Sequence, residues 1–207
     1  MVDLHLVSAL RTARSGPATR GELVSRWMRE PGKTILKQVQ AFLDALAPGH
    51  LRRAQELFAL LEGLPYRDEV PSGRDLRGAS LSGSIYGLEL TDCDFSFAQL
   101  DLDFVNCVLS GARFDEAQAS GMMLLKDLNR ASFRRSRLVD CYFRDAVARE
   151  CCFDGATLTG SSFAGADLRG SSFLDAKCRR ATFTQATLSG CDFRRAIVDD
   201  PTVGALA

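Results

Sequence analysis

Residues 156–175 read ATLTG SSFAG ADLRG SSFLD, which are four five-residue units in register. Each unit has Ala or Ser first and Leu or Phe third. The third-position pattern holds at every fifth residue from Leu128 to Val198, and in this series only Ala148 and Cys178 are small. An α-helix with 3.6 residues per turn and a strand with a period of two both lack this spacing. The pattern therefore predicts short extended pieces separated by corners.

The order of Leu and Phe within the series indicates how many pieces close one coil. Phe alternates with Leu or a smaller residue, so Phe recurs every ten residues from Phe133 to Phe193. Four pieces per coil would place Phe on two opposite sides of a square, with coils stacked about 4.8 Å apart like neighbouring strands. The expected columns are Phe133, Phe153, Phe173 and Phe193 on one side, and Phe143, Phe163 and Phe183 on the other. Gly155, Gly160, Gly165 and Gly170 would form relaxed corners.

The same spacing continues upstream to Leu76, with three steps of four residues instead of five. The expected inward residues are Leu76, Leu81 and Tyr86; after a first short step Leu90, Phe95 and Leu100; after a second Phe104, Leu109, Phe114, Ala119 and Leu124; and after a third Leu128. A second inward position, two residues before each of these, usually holds a small residue. Met122 and Lys126, which precede Leu124 and Leu128 in this way, fit that position poorly. On this count the repeats form about six and a half coils.

The quoted units resemble the pentapeptide-repeat family, and the resemblance covers residues 74–198. It implies a mainly β protein, a right-handed quadrilateral β-helix, because members of that family have this fold. The repeated residues are core residues, so the resemblance carries little information on function.

The N-terminal region has helical spacing instead. Predicted helices cover Leu4–Leu10, a segment that starts after the N-cap Thr19 with Glu22 completing a capping box, residues 35–46, and residues 51–61. The expected organisation is 1–64 as an α-helical cap or interaction region, 65–73 as a linker, 74–198 as the β-helix and 199–207 as a C-terminal tail. A solenoid must cover the strand edges of its first coil, which favours a cap, or a small helical domain, over a DNA-reading domain.

Composition excludes several classes of function. The 207 residues include 26 basic and 26 acidic side chains, and a zero formal net charge argues against a nucleic-acid coat or a polybasic membrane binder. His5 and His50 are the only histidines, and both precede the repeats. A Ser-His-Asp set is therefore impossible within the repeats, and we expect no enzyme, no cofactor and no metal.

Seven cysteines without a secretory signal predict a cytoplasmic protein with free thiols. Six of them lie at inward positions and are interpreted as core fillers. These are Cys93, Cys107, Cys141, Cys151, Cys178 and Cys191. Cys152 alone is expected to face outward.

The charges of the repeats are unevenly distributed. Residues 75–127 hold nine acidic and three basic side chains, whereas residues 128–198 hold seven acidic and twelve basic ones. Candidate partner-binding residues are the acids expected to point outward in the first half, namely Asp92, Asp94, Asp101, Asp103, Asp115 and Glu116. Pentapeptide-repeat proteins of the Qnr and MfpA type resemble B-form DNA and bind DNA gyrase or topoisomerase IV. The resemblance implies protection of such an enzyme from quinolones or topoisomerase-poison toxins by a partial DNA mimic.

This chain departs from those DNA mimics in three respects. Only its first half has an excess of acidic residues, it begins with helices, and its tail is too short for their helical C-terminal dimer contact. The alternative is an interaction adaptor or delivered effector, whose helical head and rod bind different protein partners. Direct binding to nucleic acid or to a membrane is not expected, and a homodimer stays open.

Overall fold

A computed structural model of the chain describes residues 18–45, 52–53, 55–61 and 74–199. The repeats form a β-solenoid of about six turns, with helices at its N-terminal end. The helix predicted over Leu4–Leu10, the linker 65–73 and tail residues 200–207 lie outside the described residues. None of the helices in the described part of the chain is long and apolar enough to cross a lipid bilayer.

The helices are short. Helix α1 spans Arg20–Ser25 and leads into a 3-10 helix at Arg26–Met28, α2 spans Gly32–Asp44, and α3 spans Gln55–Leu61. The backbone N–H of Glu22 donates to the Thr19 hydroxyl, and the Thr19 N–H donates to the Glu22 carboxylate. The predicted capping box is therefore confirmed.

The fourth predicted helix is wrong at its start. Arg52–Arg53 form a strand, β1, and α3 begins only at Gln55. Strand β1 pairs in parallel with Leu88–Glu89, so it supplies a partner for the first turn of the solenoid. This pairing covers backbone groups that an edge strand would leave unpaired. The apolar spacing within the segment gives no sign of this long-range pairing.

The strands of the solenoid are parallel and mostly short. They are β2 Ser80–Tyr86, β3 Leu88–Glu89, β4 Gln99–Val105, β5 Gln118–Ser120, β6 Arg137–Val139, β7 Lys177–Cys178 and β8 Ile197–Val198. Strands β2, β4, β5 and β6 form one sheet in that order, and single parallel bridges join the remaining pieces. Bridged residues lie 19 apart at Asp75 and Asp94 and 20 apart at Cys152 and Ser172, so the early turns are one residue shorter.

The turns have four faces, each with one column of inward residues. The first face carries Leu76, Phe95, Phe114, Phe133, Phe153, Phe173 and Phe193. The second carries Leu81, Leu100, Ala119, Leu138, Leu158, Cys178 and Val198. The third carries Ile85, Phe104, Leu124, Phe143, Phe163 and Phe183. The fourth carries Leu90, Leu109, Leu128, Ala148, Leu168 and Leu188.

The predicted phenylalanine columns are confirmed. Successive rings from Phe95 to Phe193 on the first face stack with centroids 4.6–4.9 Å apart. The third-face rings from Phe143 to Phe183 stack at 4.6 and 5.0 Å. Rings of the two columns meet edge to face, as Phe133 and Phe143 do at 5.7 Å. The two opposite columns therefore fill the centre of the tube, which explains the alternation of Phe with smaller residues.

The predicted corners are confirmed as well. Gly155, Gly160, Gly165 and Gly170 have φ values from +66° to +74°. Charged and polar residues adopt the same left-handed conformation at other corners, for example Asp145 with φ +55°.

The register predicted for the first turn is wrong by one residue. Ile85 is the inward residue at 2% exposure, and Tyr86 is half-buried. The four-residue step therefore lies between Leu81 and Ile85, inside β2. Side chains of a strand alternate, so residues an even number apart stay on one side and no corner is needed between them.

Strand β4 repeats this arrangement in the second turn. Leu100, Leu102 and Phe104 are all buried along one uninterrupted strand. Leu102 thus occupies a position that holds Ala, Ser or Cys in later turns, and Met122 does the same one turn on. Lys126, which fitted this position poorly, is exposed.

The helices cover the open end of the first turn. Trp27, Val39 and Leu61 belong to the same buried core as Leu76. The side-chain amide of Gln40 donates to the Ser82 carbonyl at 2.9 Å and accepts from the Ser82 N–H at 3.2 Å. A preceding strand would satisfy the same two backbone groups, so Gln40 takes the place of a strand there.

A buried ion cluster fastens the helices to the first turn. The Arg26 guanidinium contacts both carboxylate oxygens of Asp75 at 2.7 Å, and Arg77 binds the same carboxylate at 3.0 Å. The indole N–H of Trp27 donates to the Arg77 carbonyl at 2.8 Å. Burial alone would raise the pKa of Asp75, but the hydrogen bonds from Arg26 and Arg77 bring it below its usual value.

Candidate protein-binding surfaces

The structure does not bring the six predicted acidic residues onto one face. Their positions follow from the inward columns and the bridges between turns. Asp92 lies at the corner of the fourth and first faces, Asp94 on the first face, Asp101 at the corner of the second and third faces, Asp103 on the third face, and Asp115 with Glu116 at the corner of the first and second faces.

The prediction that Asp94 points outward is wrong, since Asp94 is only 4% exposed. Its carboxylate accepts a hydrogen bond from the Ser96 N–H at 2.9 Å and lies 3.9 Å from Nε of Arg113. Aspartate readily bonds the backbone two residues on, and this contact turns the side chain away from solvent. Burial raises the pKa of Asp94. Asp94 therefore stabilises the turn and is not accessible to a partner.

Asp115 and Glu116 are engaged by neighbouring residues. Asp115 accepts hydrogen bonds from the Ser132 hydroxyl at 2.5 Å and the Arg134 N–H at 3.0 Å. Glu116 pairs with Arg135 at 2.7 Å. The negative charge at this corner is therefore largely balanced by arginines of the next turn.

Asp92, Asp101 and Asp103 make no ion pair with any of the described residues. Residues 93–111, which form the second turn, contain Asp94, Asp101 and Asp103 as their only charged side chains. Two of these three are accessible to a partner. The second turn thus presents negative charge with no basic residue in the same turn.

Asp101 and Asp103 line a shallow cleft on the corner of the second and third faces. The other lining residues are Gly83, Leu102, Ser120, Gly121 and Met122. Gly83 and Gly121 contribute no side chains, which leaves the cleft open. Asp103 accepts a hydrogen bond from the Met123 N–H at 2.8 Å, and this contact fixes its carboxylate beside the cleft.

Many basic residues of the second half are already paired. Arg149 and Arg169 both contact Asp167 at 2.7 Å, and Arg195 contacts Asp175 at 2.6 Å. Hydrogen bonds from Arg169 and Arg149 hold the pKa of Asp167 well below its usual range. The excess of arginine in the sequence therefore overstates the positive surface. The pairs link residues two positions or about one turn apart, a spacing visible in sequence only once the turn length is known.

Cysteines follow the predicted pattern with one difference. Cys93, Cys107, Cys141, Cys151 and Cys178 are buried, and Cys152 is half-buried on the outside. Cys191 is also half-buried, because the last turn has no turn above it among the described residues. Burial raises the pKa of Cys107 and Cys141 to about 11. Within the described part of the chain, no three His, Cys, Asp or Glu side chains are arranged to hold a metal.

An apolar surface on the third face was missed at the sequence level. Its outward residues are Val105, Met123, Leu125 and Tyr142, which we call the third-face patch. Tyr142 is 44% exposed, and Met123 is bridged to it in the neighbouring turn. The available signal was the presence of apolar residues at outward positions, where most other turns carry Ser, Thr, Asp or Arg.

Comparison with known proteins identifies the family. The family model for pentapeptide repeats matches residues 127–163 and 161–199, with eight copies of the repeat. Residues 127–199 therefore carry repeats of the pentapeptide-repeat family. A search of curated protein sequences finds no significant match.

Solved structures of other pentapeptide-repeat proteins are similar to the chain. HetL from the cyanobacterium Nostoc, involved in regulation of heterocyst differentiation, is 23% identical with a TM-score of 0.23, over 59% of this chain and 71% of that chain. QnrB1, a plasmid-mediated fluoroquinolone resistance protein, is 22% identical with a TM-score of 0.27, over 64% and 82%. A thylakoid-lumen protein of Arabidopsis thaliana is 24% identical with a TM-score of 0.23, over 57% and 73%. Similarity at this level does not bear on function.

Proposed function

We propose that the protein is a non-enzymatic binding protein whose acidic second turn engages a basic protein surface. The most concrete partner is the DNA-binding saddle of DNA gyrase or topoisomerase IV, as a resemblance to DNA-mimicking pentapeptide-repeat proteins suggests. Bound there, the rod would compete with DNA and protect the enzyme from quinolones or topoisomerase-poison toxins. The observation that carries the proposal is the set Asp92, Asp101 and Asp103, which pair with no described basic residue and lie in or directly before a turn, residues 93–111, that has no basic side chain.

The ion pairs and burial of the six predicted acidic residues indicate which of them would contact the partner. Asp92 and Asp101 lie at diagonally opposite corners of the rod, so two edges carry carboxylates that no described arginine or lysine neutralises. Such carboxylates would replace DNA phosphates opposite Lys and Arg of the enzyme, and the contact would weaken as salt screens it. Asp94 would not contact the partner because it is buried. Asp115 and Glu116 would contribute less to the binding because Arg113, Arg134 and Arg135 surround them.

A supercoiling assay with a quinolone tests this proposal. The wild-type protein should restore supercoiling by gyrase, and the triple variant Asp92→Asn, Asp101→Asn, Asp103→Asn should lose this effect. Asparagine keeps the acceptor that Asp103 offers to the Met123 N–H, so we expect the melting temperature to stay nearly unchanged. The matched control, Arg137→Gln with Lys177→Gln on the second face, should protect like wild type. Protection that survives the triple variant, or that depends on the basic pair, would exclude the DNA-mimic mechanism.

A second candidate function is an interaction adaptor or delivered effector. It is favoured by two separate apolar surfaces, since Met28 is 76% exposed on the helices and Tyr142 is exposed on the rod. An adaptor would have no effect on gyrase, and Met28→Ser and Tyr142→Ser would each abolish binding of a different partner.

A homodimer stays a prediction. We place it at the last turn, where Phe193 and Val198 are half-buried.

A further inference from the structure

We infer that the third-face patch, together with the Asp101–Asp103 cleft, docks an amphipathic helix of a partner protein with a basic residue at one end. This surface does not depend on the proposed topoisomerase function. It rests on half-buried and exposed apolar side chains on the outside of the rod, on carboxylates beside them that form no ion pair with described residues, and on the spacing of the turns.

The apolar part is densest on the third face in the middle turns, although Val147 on the fourth face is also 38% exposed. In the same column, Met123 and Tyr142 are followed in later turns by Ser162 and Thr182. On the opposite first face, the outward positions of the corresponding turns hold Arg113 and Ser132. Apolar residues clustered on one outward surface, with polar residues at the equivalent positions of the opposite face, are typical of an interaction site.

The charged part adjoins the apolar part directly. Asp103 precedes Met123 by one turn on the third face and is hydrogen-bonded to the Met123 N–H. Asp101, two residues before Asp103 on β4, points to the same side of the strand and lines the same cleft. No described basic residue pairs with either carboxylate, so a Lys or Arg side chain of the partner would find two unneutralised acceptors there.

The spacing of the turns fits a helix that lies along the rod. Asp103, Met123 and Tyr142 occupy successive turns of one column, which are roughly 4.8 Å apart. An α-helix rises about 5.4 Å per turn, so side chains at i, i+3 or i+4, and i+7 advance by nearly the same distance. A basic residue at i would meet the two aspartates, while apolar residues one and two helical turns later would contact Met123 and Tyr142.

Methionine methyl NMR tests the site with defined probes. The chain has four methionines, so a methyl-labelled sample gives few signals, with Met123 in the patch and the exposed Met28 on the helices as an internal control. The probes are two synthetic helical peptides with Leu at i+4 and i+7 that differ only in Lys or Glu at i. We expect the Lys peptide to shift the Met123 signal in a saturable manner, to leave Met28 unchanged, and to bind about tenfold more tightly than the Glu peptide.

Two substitutions with a matched control decide the outcome. Tyr142→Ser should weaken binding of the Lys peptide by about tenfold, because it removes the apolar contact between the Tyr142 ring and the peptide. Ser162→Ala, one turn further in the same column, should have no effect. Asp101→Asn with Asp103→Asn should abolish the preference for Lys over Glu. Equal affinity for both peptides, a shift at Met28 in place of Met123, or unchanged binding by Tyr142→Ser would overturn the inference.

Discussion

The turns before and after Leu128 fill the same narrow tube in different ways. After Leu128, five-residue pieces repeat with a corner between each pair, and single bridges join the turns. Before it, β2 and β4 each run for seven residues uninterrupted past the point where the second face meets the third, and the inward positions carry Ile85 and Leu102. The comparison teaches that the fold requires four inward apolar side chains in each turn, and not a fixed repeat length.

The outer surfaces of the two regions differ in the same way. In the regular region, arginines such as Arg149 and Arg195 pair with acids of a neighbouring turn. In the irregular region, Asp92, Asp101 and Asp103 have no such partners among the described residues. Carboxylates suited to binding a basic partner thus lie where the repeat is least regular, whereas many arginines of the regular turns are paired with acids.

The largest expected effect comes from the interior of the regular region. Phe173 is fully buried between Phe153 and Phe193, with centroids at 4.7 and 4.6 Å. Phe173→Asp should cost more than about 4 kcal/mol in the free energy of unfolding, because it removes a ring and buries an unpaired charge. Denaturant unfolding measures the loss.

The control for Phe173→Asp is Thr182→Asp on the exposed outside of the third face, which should be nearly silent. Ser172→Asp, outward by sequence, is not a clean control because the Ser172 hydroxyl donates to Asp154. Equal stability of the Phe173 and Thr182 variants would refute the inward columns.

The next largest effect on stability is expected for the buried ion cluster of the first turn, in contrast to the surface ion pairs of later turns. Arg26→Met removes the partner of the buried Asp75 and should cost about 3–5 kcal/mol. Arg195→Met breaks an exposed pair of similar geometry and should cost less than about 1 kcal/mol. Hydrogen exchange at Leu76 and Gly78 would localise the first loss. A comparable loss in both variants would contradict a fastening role for the cluster.

The same cluster predicts a dependence of stability on pH. The folded pKa of Asp75 lies below its ordinary value of 3.8, so the ionised carboxylate stabilises the fold at neutral pH. That contribution is complete above the ordinary pKa and is lost as pH falls through the lower folded value. The stability difference between wild type and Asp75→Asn should therefore be largest near neutral pH and shrink in acid. A difference that grows in acid would contradict the assigned direction.

Much of this fold is readable from the sequence, because each inward position has a direct compositional requirement. The Phe columns and the glycine corners needed only the period and its alternation. The step near Ile85 was misplaced because Ile85 and Tyr86 are adjacent apolar residues, and spacing alone does not distinguish them. Strand β1 depends on pairing with Leu88–Glu89, a long-range contact that leaves no local pattern.

The candidate surfaces were harder to predict from the sequence, because outward positions have no such compositional requirement. Outward positions tolerate any soluble residue, so Asp94 looked equivalent to Asp101 until its bond to the Ser96 N–H was known. Likewise, Glu116 looked free until Arg135 was placed one turn away. Contacts between turns, which depend on the exact turn length, decide which charges remain available to a partner.

The smallest expected effect concerns a corner at the boundary between the two regions. Gly121 has φ +70° and open space around the position of an added Cβ atom. Gly121→Ala should therefore cost about 1 kcal/mol from backbone strain alone. Thermal unfolding measures this, with Ser120→Ala as the control at a neighbouring exposed position. A loss several times larger would mean that the corner is packed against other residues.

Competition with DNA tests the central functional claim most directly. Fluorescently labelled DNA bound to DNA gyrase is titrated with the protein, and anisotropy reports displacement. We expect wild-type protein to displace the DNA, less effectively as salt is raised, and the triple variant Asp92→Asn, Asp101→Asn, Asp103→Asn to fail under the same conditions. Absence of displacement by wild type, or displacement by the triple variant with undiminished affinity, would contradict the account of the acidic second turn as the binding surface.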